Sequence, residues 1–207
     1  MTGGNVYLNP KEKQVDELIK GLKSKAIETG IQNPINYAPS LHFFKAKTLI
    51  EQSEIYKIIK KMPKGGILHL HNSAAVSSEW IVKNLTYRDD IYLCVNTDGL
   101  KIFHFKNQRM DCAEESKLIV DLRKNHPKST EFDEELESLI NLHTSSPEID
   151  YPDINTVWSK FQNIFTTIGG FLGYLPTFKD FHYQIMQELY DDNIMYAELR
   201  TSIKTVS

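Results

Sequence analysis

Met62-Pro63-Lys64-Gly65-Gly66-Ile67-Leu68-His69-Leu70-His71-Asn72 decides how this chain is read. Gly65 and Gly66 interrupt whatever precedes them. Ile67, Leu68 and Leu70 then read as a short buried strand. His69 and His71 stand two residues apart, and on a strand residues i and i+2 share a face. Both imidazoles should therefore project the same way from the strand's end. Neutral imidazole is a common ligand for zinc and other divalent metals. A pair of inert, hydrogen-bonded strand-end histidines has the same spacing, and an H-x-H alone does not separate the two readings.

Outward from that stretch the chain is rich in helical pattern. Asn9-Pro10 reads as an N-cap followed by proline in the first helical turn. Val15, Leu18, Ile19, Leu22, Ala26 and Ile27 then recur at helical spacing, and Gly30 is expected to close the helix. Residues 35–40 form a proline-bounded link. Residues 41–61 read as one further helix with a dense apolar face at Phe43, Phe44, Ala46, Leu49 and Ile50. On the other side, residues 76–85 read as a short helix. Residues 91–95 and 100–105 flank Asn96-Thr97-Asp98-Gly99, and Asp-Gly between apolar runs is a hairpin signal. Residues 114–124 and 130–143 read as polar helices. Asn155 is the expected N-cap of a helix through Thr167, with Gly169-Gly170 ending it. Trp158, Phe161 and Phe165 share one of its faces at i, i+3 and i+7, a spacing that suits a core stripe as well as a ligand wall. Residues 176–191 read as a helix with Phe178, Phe181, Ile185, Met186 and Leu189 inward. Residues 194–200 read as a second strand, on which Glu198 and Arg200 share a face and should form an ion pair.

Composition excludes several classes. The chain has 207 residues, 41% hydrophobic and 25% charged, which suits a globular protein with a sizeable core. Its net charge of -3 gives no nucleic-acid footprint. No apolar run approaches the roughly 18 residues that span a membrane. Met1-Thr2-Gly3-Gly4-Asn5-Val6 lacks the charged and apolar regions of a secretory signal, which taken alone points to the cytosol. Two cysteines, Cys94 and Cys112, do not by themselves indicate oxidising surroundings.

The central stretch, followed by Val76-Ser77-Ser78-x-Trp80-x-Val82-Lys83-Asn84-x-Thr86-Tyr87-Arg88, resembles the secreted adenosine deaminases, also called adenosine deaminase-related growth factors. Ser40-Leu41-His42-Phe43-Phe44-x-Ala46-Lys47, the segment from Trp158 to Phe165, and Tyr196-x-Glu198-x-Arg200 resemble the same family. The resemblance runs nearly end to end but covers only the family's N-terminal portion. It implies an α/β, helix-dominated fold: the N-terminal part of a (β/α)8 TIM barrel, preceded by a helical dimerisation arm and carrying a small inserted domain. Residues 1–61 would be the arm and 62–88 the first barrel strand and helix. Residues 89–145 would be the insertion, associated in the family with receptor binding. Residues 146–207 would continue the barrel through its second strand.

The same resemblance implies roles for individual residues. His69 and His71 would be zinc ligands. The family has Asp after the second histidine, whereas this chain has Asn72, which can hydrogen-bond a hydroxyl but cannot act as a base. Trp158, Ser159, Lys160, Phe161, Gln162, Asn163, Ile164 and Phe165 match a stretch that lines the nucleoside pocket. Cys94 and Cys112 match a disulfide. Asn84-Leu85-Thr86 matches a glycosylation sequon. The partners implied are adenosine or a related purine nucleoside, a second copy through the N-terminal helices, and a cell-surface receptor or glycosaminoglycan, in an extracellular setting. The family chemistry is zinc-dependent hydrolytic deamination. Its third histidine ligand, its catalytic Glu, a further His and a ligating Asp come from later strands, so no catalytic residue is expected in this chain. A barrel of this kind typically takes eight strands and about 250 residues, and the chain offers two. The competing reading is a non-catalytic, growth-factor-like binding module.

Overall fold

The computed structural model describes residues 5–108 and 110–201. Residues 1–4, the start of the stretch that lacks the pattern of a secretory signal, lie outside them. The chain divides into two compact units, residues 1–62 and 63–207.

The first unit is helical. Helix α1 spans Pro10–Gln32. Asn9 caps it as its pattern predicts: its Oδ1 accepts from the backbone N–H of Lys11 and Glu12, and Glu12 reaches back to the N–H of Asn9. Gly30 does not close α1, which runs two residues further to Gln32. A Cβ on Gly30 would lie 2.4 Å from the Tyr37 ring, so glycine is there to admit that ring. Two 3-10 turns, Pro34–Asn36 and Ala38–Ser40, form the link. The predicted single helix over 41–61 is two helices, α2 (Phe43–Gln52) and α3 (Glu54–Lys61). Ser53 divides them in extended geometry, and its Oγ accepts from the backbone N–H of Tyr56, starting α3 afresh.

The second unit holds two sheets. Strand β1 (Lys64–His71) pairs in parallel with β5 (Ile194–Arg200), with Gly66 opposite Tyr196 and His71 opposite Arg200. Gly65 and Gly66 lie inside β1 instead of before it. Strand β1 is also less buried than predicted, since Leu68 is 65% exposed. After β1 come a 3-10 turn (Asn72–Ala74) and a short helix α4 (Ser78–Trp80) that continues as a π-turn over Ile81–Leu85.

The hairpin forms as predicted. Strands β2 (Ile91–Val95) and β3 (Lys101–Phe105) are antiparallel. Asn96 closes the turn by accepting from the N–H of Asp98 and Leu100, and Gly99 takes a positive φ of 78°. A two-residue strand β4 (Lys117–Leu118) adds to β2. Helix α5 (Ile119–Asn125) therefore starts later than predicted, because the residues before it pair with the hairpin. Helix α6 (Ser129–Ser138) stops before the predicted 143, and a short helix α7 (Pro147–Asp150) was not predicted.

Helices α8 (Ile154–Gly173) and α9 (Leu175–Asp191) complete the unit. The cap of α8 is Asp153, not Asn155. Gly169-Gly170 does not end it. The α-carbon of Gly170 lies so close to β3 that an added Cβ would be 2.1 Å from the carbonyl oxygen of Phe103. Tight helix–strand approach, not termination, fixes this glycine. Around that contact sits one core built from Ile81, Leu85, Ile91, Phe103, Phe171 and Phe181, with Phe103 stacked on Phe171 at 5.1 Å. Residues of the π-turn, hairpin, α8 and α9 all enter it. On α9, Phe181 and Ile185 are buried and Phe178 and Leu189 half-buried, but Met186 faces solvent. Among the described residues, no helix is long and apolar enough to cross a membrane.

Candidate metal and ligand site

The C-terminal ends of β1 and β5 lie side by side, because parallel pairing sets His71 opposite Arg200. His69 and His71 share a face, as alternation requires, with their Nε2 atoms 3.1 Å apart and ring centroids 5.1 Å apart. Two imidazole lone pairs cannot face each other at that distance, so one nitrogen carries a proton or both face a cation. The separation suits two zinc–nitrogen bonds of about 2.0–2.1 Å. The pair thus fits two corners of a tetrahedral zinc site and leaves the rest of the ligand set open. Arg200 donates to the carbonyl of Leu68 and to Glu198, both at 3.2 Å, so the predicted Glu198–Arg200 ion pair is present.

Asn72 follows directly and is 9% exposed. Its orientation can be deduced from its neighbours. His182 Nδ1 lies 2.8 Å from the carbonyl of Phe178, so Nδ1 carries the proton and Nε2 accepts. Asn72 Nδ2, 3.3 Å from that Nε2, must therefore donate to it, and it also donates to Thr201 Oγ1 at 3.0 Å. With the amide nitrogen engaged, the carbonyl oxygen is the group left to accept from a ligand hydroxyl. His182 and Thr201 were not singled out in the sequence. A helical Phe178-x-x-x-His182 step carried no signal of its own, since its partner is 110 residues away.

These residues open on a cleft of about 700 Å³ lined by His71, Asn72, Phe165, Gly169, Phe178 and Arg200, among others. Of the predicted α8 segment, Phe165 reaches this cleft. Phe161 meets Phe165 edge-on at 4.9 Å and Trp158 meets Phe161 at 5.4 Å, so the aromatic face continues from the cleft toward the start of α8. Trp158 is 59% exposed, which excludes the core-stripe reading for it. Ile164 packs against the core, Lys160 donates to Tyr151 Oη at 3.1 Å, Ser159 and Gln162 are exposed, and Asn163 is half-buried. None of these five lines the cleft. The face is anchored at its exposed start by Asp153. Its carboxylate accepts from the backbone N–H and the hydroxyl of Thr156, and from the N–H of Asn155, which hold its pKa below the usual carboxylate value.

Cys94 and Cys112 form a disulfide with Cα atoms 5.9 Å apart. Asn84 is exposed on the π-turn, its Nδ2 donating to the carbonyl of Trp80 at 3.0 Å. Thr86, the third residue of the sequon, is fully buried. It donates to the Val82 carbonyl at 2.6 Å and accepts from Arg123 at 2.7 Å.

Comparison with known proteins bears on the same residues. Residues 1–59 match the family model described as adenosine/AMP deaminase N-terminal. The chain is 40% identical over 207 residues to adenosine deaminase 2 of Pongo abelii, covering 99% of this chain and 40% of that protein. It is 39% identical to adenosine deaminase 2 of Homo sapiens over the same shares. It is 32% identical to an adenosine deaminase of Phlebotomus duboscqi, covering 97% of this chain and 39% of that one. The chain thus spans about two-fifths of the length of these curated relatives.

Proposed function

We propose that the chain, similar over nearly its whole length to part of the adenosine deaminase 2 proteins, belongs to the adenosine deaminase family and supplies half of a zinc site and one wall of a purine-nucleoside pocket for hydrolytic deamination of adenosine. The observation that carries this reading is the convergence of His69 and His71 beside the cleft lined by His71, Asn72 and Phe165. Active sites of (β/α)8 barrels lie at the C-terminal ends of the parallel strands. The β1–β5 pair presents its histidines, Asn72 and Thr201 at that end, which supports reading it as two neighbouring barrel strands. A zinc ion held by His69 and His71 would supply Lewis acidity for hydrolysis. The chain's own residues would bind and orient the substrate. The Asn72 carbonyl would accept from a ribose hydroxyl, held in place by His182 and Thr201. Phe165, with Phe161 and Trp158 beyond it, would offer a flat apolar wall to the purine.

This chain alone is proposed not to turn over adenosine, since His69 and His71 would supply two zinc ligands where a catalytic site typically has three. Zinc should bind at micromolar affinity or weaker, through both histidines. A calorimetric zinc titration tests this with His69→Ala and His71→Ala. Nanomolar binding that needs both histidines would show that the site is complete after all. An ammonia-release assay on the same protein, supplied with zinc, should read background. Turnover abolished by His71→Ala would overturn the inactivity.

The remaining regions carry proposals of their own. The first unit would be the dimerisation arm, which its exposed Leu18, Ile31 and Phe43 support. Residues 89–145 would be the inserted domain that meets a receptor or glycosaminoglycan. The disulfide and exposed Asn84 support an extracellular setting.

A further inference from the structure

We propose that the hairpin carries a second, redox-gated cation site: Cys94 and Cys112, once reduced, form with His104 a Cys2His set for zinc or a similarly thiophilic divalent cation. In the disulfide form, the sulfurs of Cys94 and Cys112 and a ring nitrogen of His104 all lie within 4.8 Å of one another. They come together because β2 and β3 are in register. Cys94 pairs with Ile102 and Tyr92 with His104, so His104 sits diagonally beside Cys94 on the same face. Cys112 arrives through its bridge to Asn96.

His104 is in the tautomer a metal needs. Its Nδ1 lies 3.2 Å from the carbonyl of Phe105 and donates to it, so Nε2 carries the lone pair, which accepts from the Ser116 hydroxyl in the disulfide form and is the atom a cation would take in its place. That Nε2 points to Ser116 Oγ at 2.9 Å and Cys112 Sγ at 4.0 Å. A tetrahedral zinc with bonds of about 2.3 Å to sulfur and about 2.0 Å to nitrogen spaces S and N by about 3.6 Å and two sulfurs by about 3.8 Å. Cys112, with its sulfur 4.0 Å from Nε2, nearly meets the first spacing. The second requires the two sulfurs to swing apart, which cleavage of their bond permits. Cys94 and His104 are buried, while Cys112 and Ser116 are half-exposed. Beside Ser116 lies a cleft of about 320 Å³, lined also by Tyr92, Lys117, Leu118 and Asp121.

The balance is simple. A dithiol attacks one sulfur, breaks the Cys94–Cys112 bond and leaves as its own disulfide. Two electrons and two protons pass to the cysteines. A divalent cation then displaces both protons and takes the two thiolates and the neutral His104, with a fourth position toward Ser116 for water.

The test uses the whole chain, reduced with dithiol, exchanged anaerobically into a non-chelating phosphine and titrated with Co²⁺. The expected result is one equivalent of thiolate-to-cobalt charge-transfer absorption, a signal that His69 and His71 cannot produce. Adding Zn²⁺ should bleach it, and the untreated disulfide form should lack it. His104→Ala should weaken cobalt binding at least tenfold, and Cys112→Ser should remove the charge-transfer band of the two-thiolate site. Circular dichroism follows the fold throughout. If the reduced chain stays folded without the band, the proposal fails. If reduction melts the hairpin, Co²⁺ must restore it, and failure to do so also overturns the site. Unchanged affinity in His104→Ala would exclude the histidine.

Discussion

The two sheets of the second unit are built from similar strands and end in opposite conditions. In the hairpin, Ile91 and Phe103 are fully buried, a disulfide closes the loop, and α8 presses against β3. In the β1–β5 pair, Leu68 is 65% and Met195 77% exposed, and both histidines face solvent. Parallel sheets normally have both faces covered, and their strands read as continuous apolar runs. Ile67-Leu68-x-Leu70 has that composition with only partial cover, Ile67 and Leu70 being half-buried and Leu68 exposed. The hairpin therefore supplies stability within the chain, and the strand pair displays two imidazoles to solvent. Substitutions should separate the two regions sharply.

The largest effect is expected from removing the disulfide. Cys94→Ser with Cys112→Ser opens a loop of sequence separation 18. Loss of that constraint on the unfolded chain should lower stability by about 3 kcal/mol. Denaturant unfolding measures it. A loss below about 1 kcal/mol would mean that the hairpin does not depend on its staple.

Next comes a pair of neighbouring glycines whose substitutions should differ in sign. Alanine in a helix interior normally gains up to about 1 kcal/mol over glycine. At Gly169 nothing lies within 4 Å of an added Cβ, so Gly169→Ala should stabilise by roughly that amount. At Gly170 the Phe103 carbonyl lies 2.1 Å from the new carbon, and backbone cannot swing aside as a side chain can. Gly170→Ala should destabilise by about 1–3 kcal/mol. Thermal melts of the two variants give the answer, and a shift of the same sign in both would break the packing account.

These glycines also show where the sequence was legible and where it was not. Local signals came through. Asn9 with Glu12 caps α1, Gly99 takes the positive φ of its turn, and His69-x-His71 brings two rings together. Each depends on residues a few positions apart. Gly30 and Gly170 misled because their meaning is tertiary: a Tyr37 ring and a β3 carbonyl occupy the space a side chain would need, whereas Gly169 meets nothing within 4 Å. The division at Ser53 was readable in principle, since Ser-x-x before an apolar repeat is a cap pattern, but the continuous apolar face hid it. His182 and Thr201, which orient Asn72 from 110 and 129 residues away, left no local trace.

A smaller effect is expected at Asp153, which caps the helix bearing the aromatic face. Its hydrogen bonds from Thr156 and Asn155 hold its pKa below the ordinary 3.8. A carboxyl depressed on folding stabilises the native state above its unfolded pKa. That contribution is lost as pH falls through the folded value. Asp153→Asn keeps a capping oxygen but removes the charge. Its stability curve should match the parent's more closely below pH 3.8 than at neutral pH. The parent and variant curves staying parallel across that range would show that the carboxylate is not the cap.

The smallest effect belongs to the outer face of β1, and its smallness is the point. Leu68 is 65% exposed, so Leu68→Ser removes little buried apolar area. Surface changes away from caps and cores usually fall within about 0.5 kcal/mol. The same chemical change at Phe103, fully buried against Phe171, would open a cavity costing about 3–5 kcal/mol. Leu68→Ser should leave the denaturation midpoint of this chain nearly unmoved and lower its tendency to associate, because an exposed apolar strand face invites self-contact. Equilibrium unfolding and sedimentation of the variant test both halves. A loss of more than about 1.5 kcal/mol, well outside the surface range, would mean that the face of β1 is covered in solution. The contrast between the two sheets would then be one of partner, not of exposure.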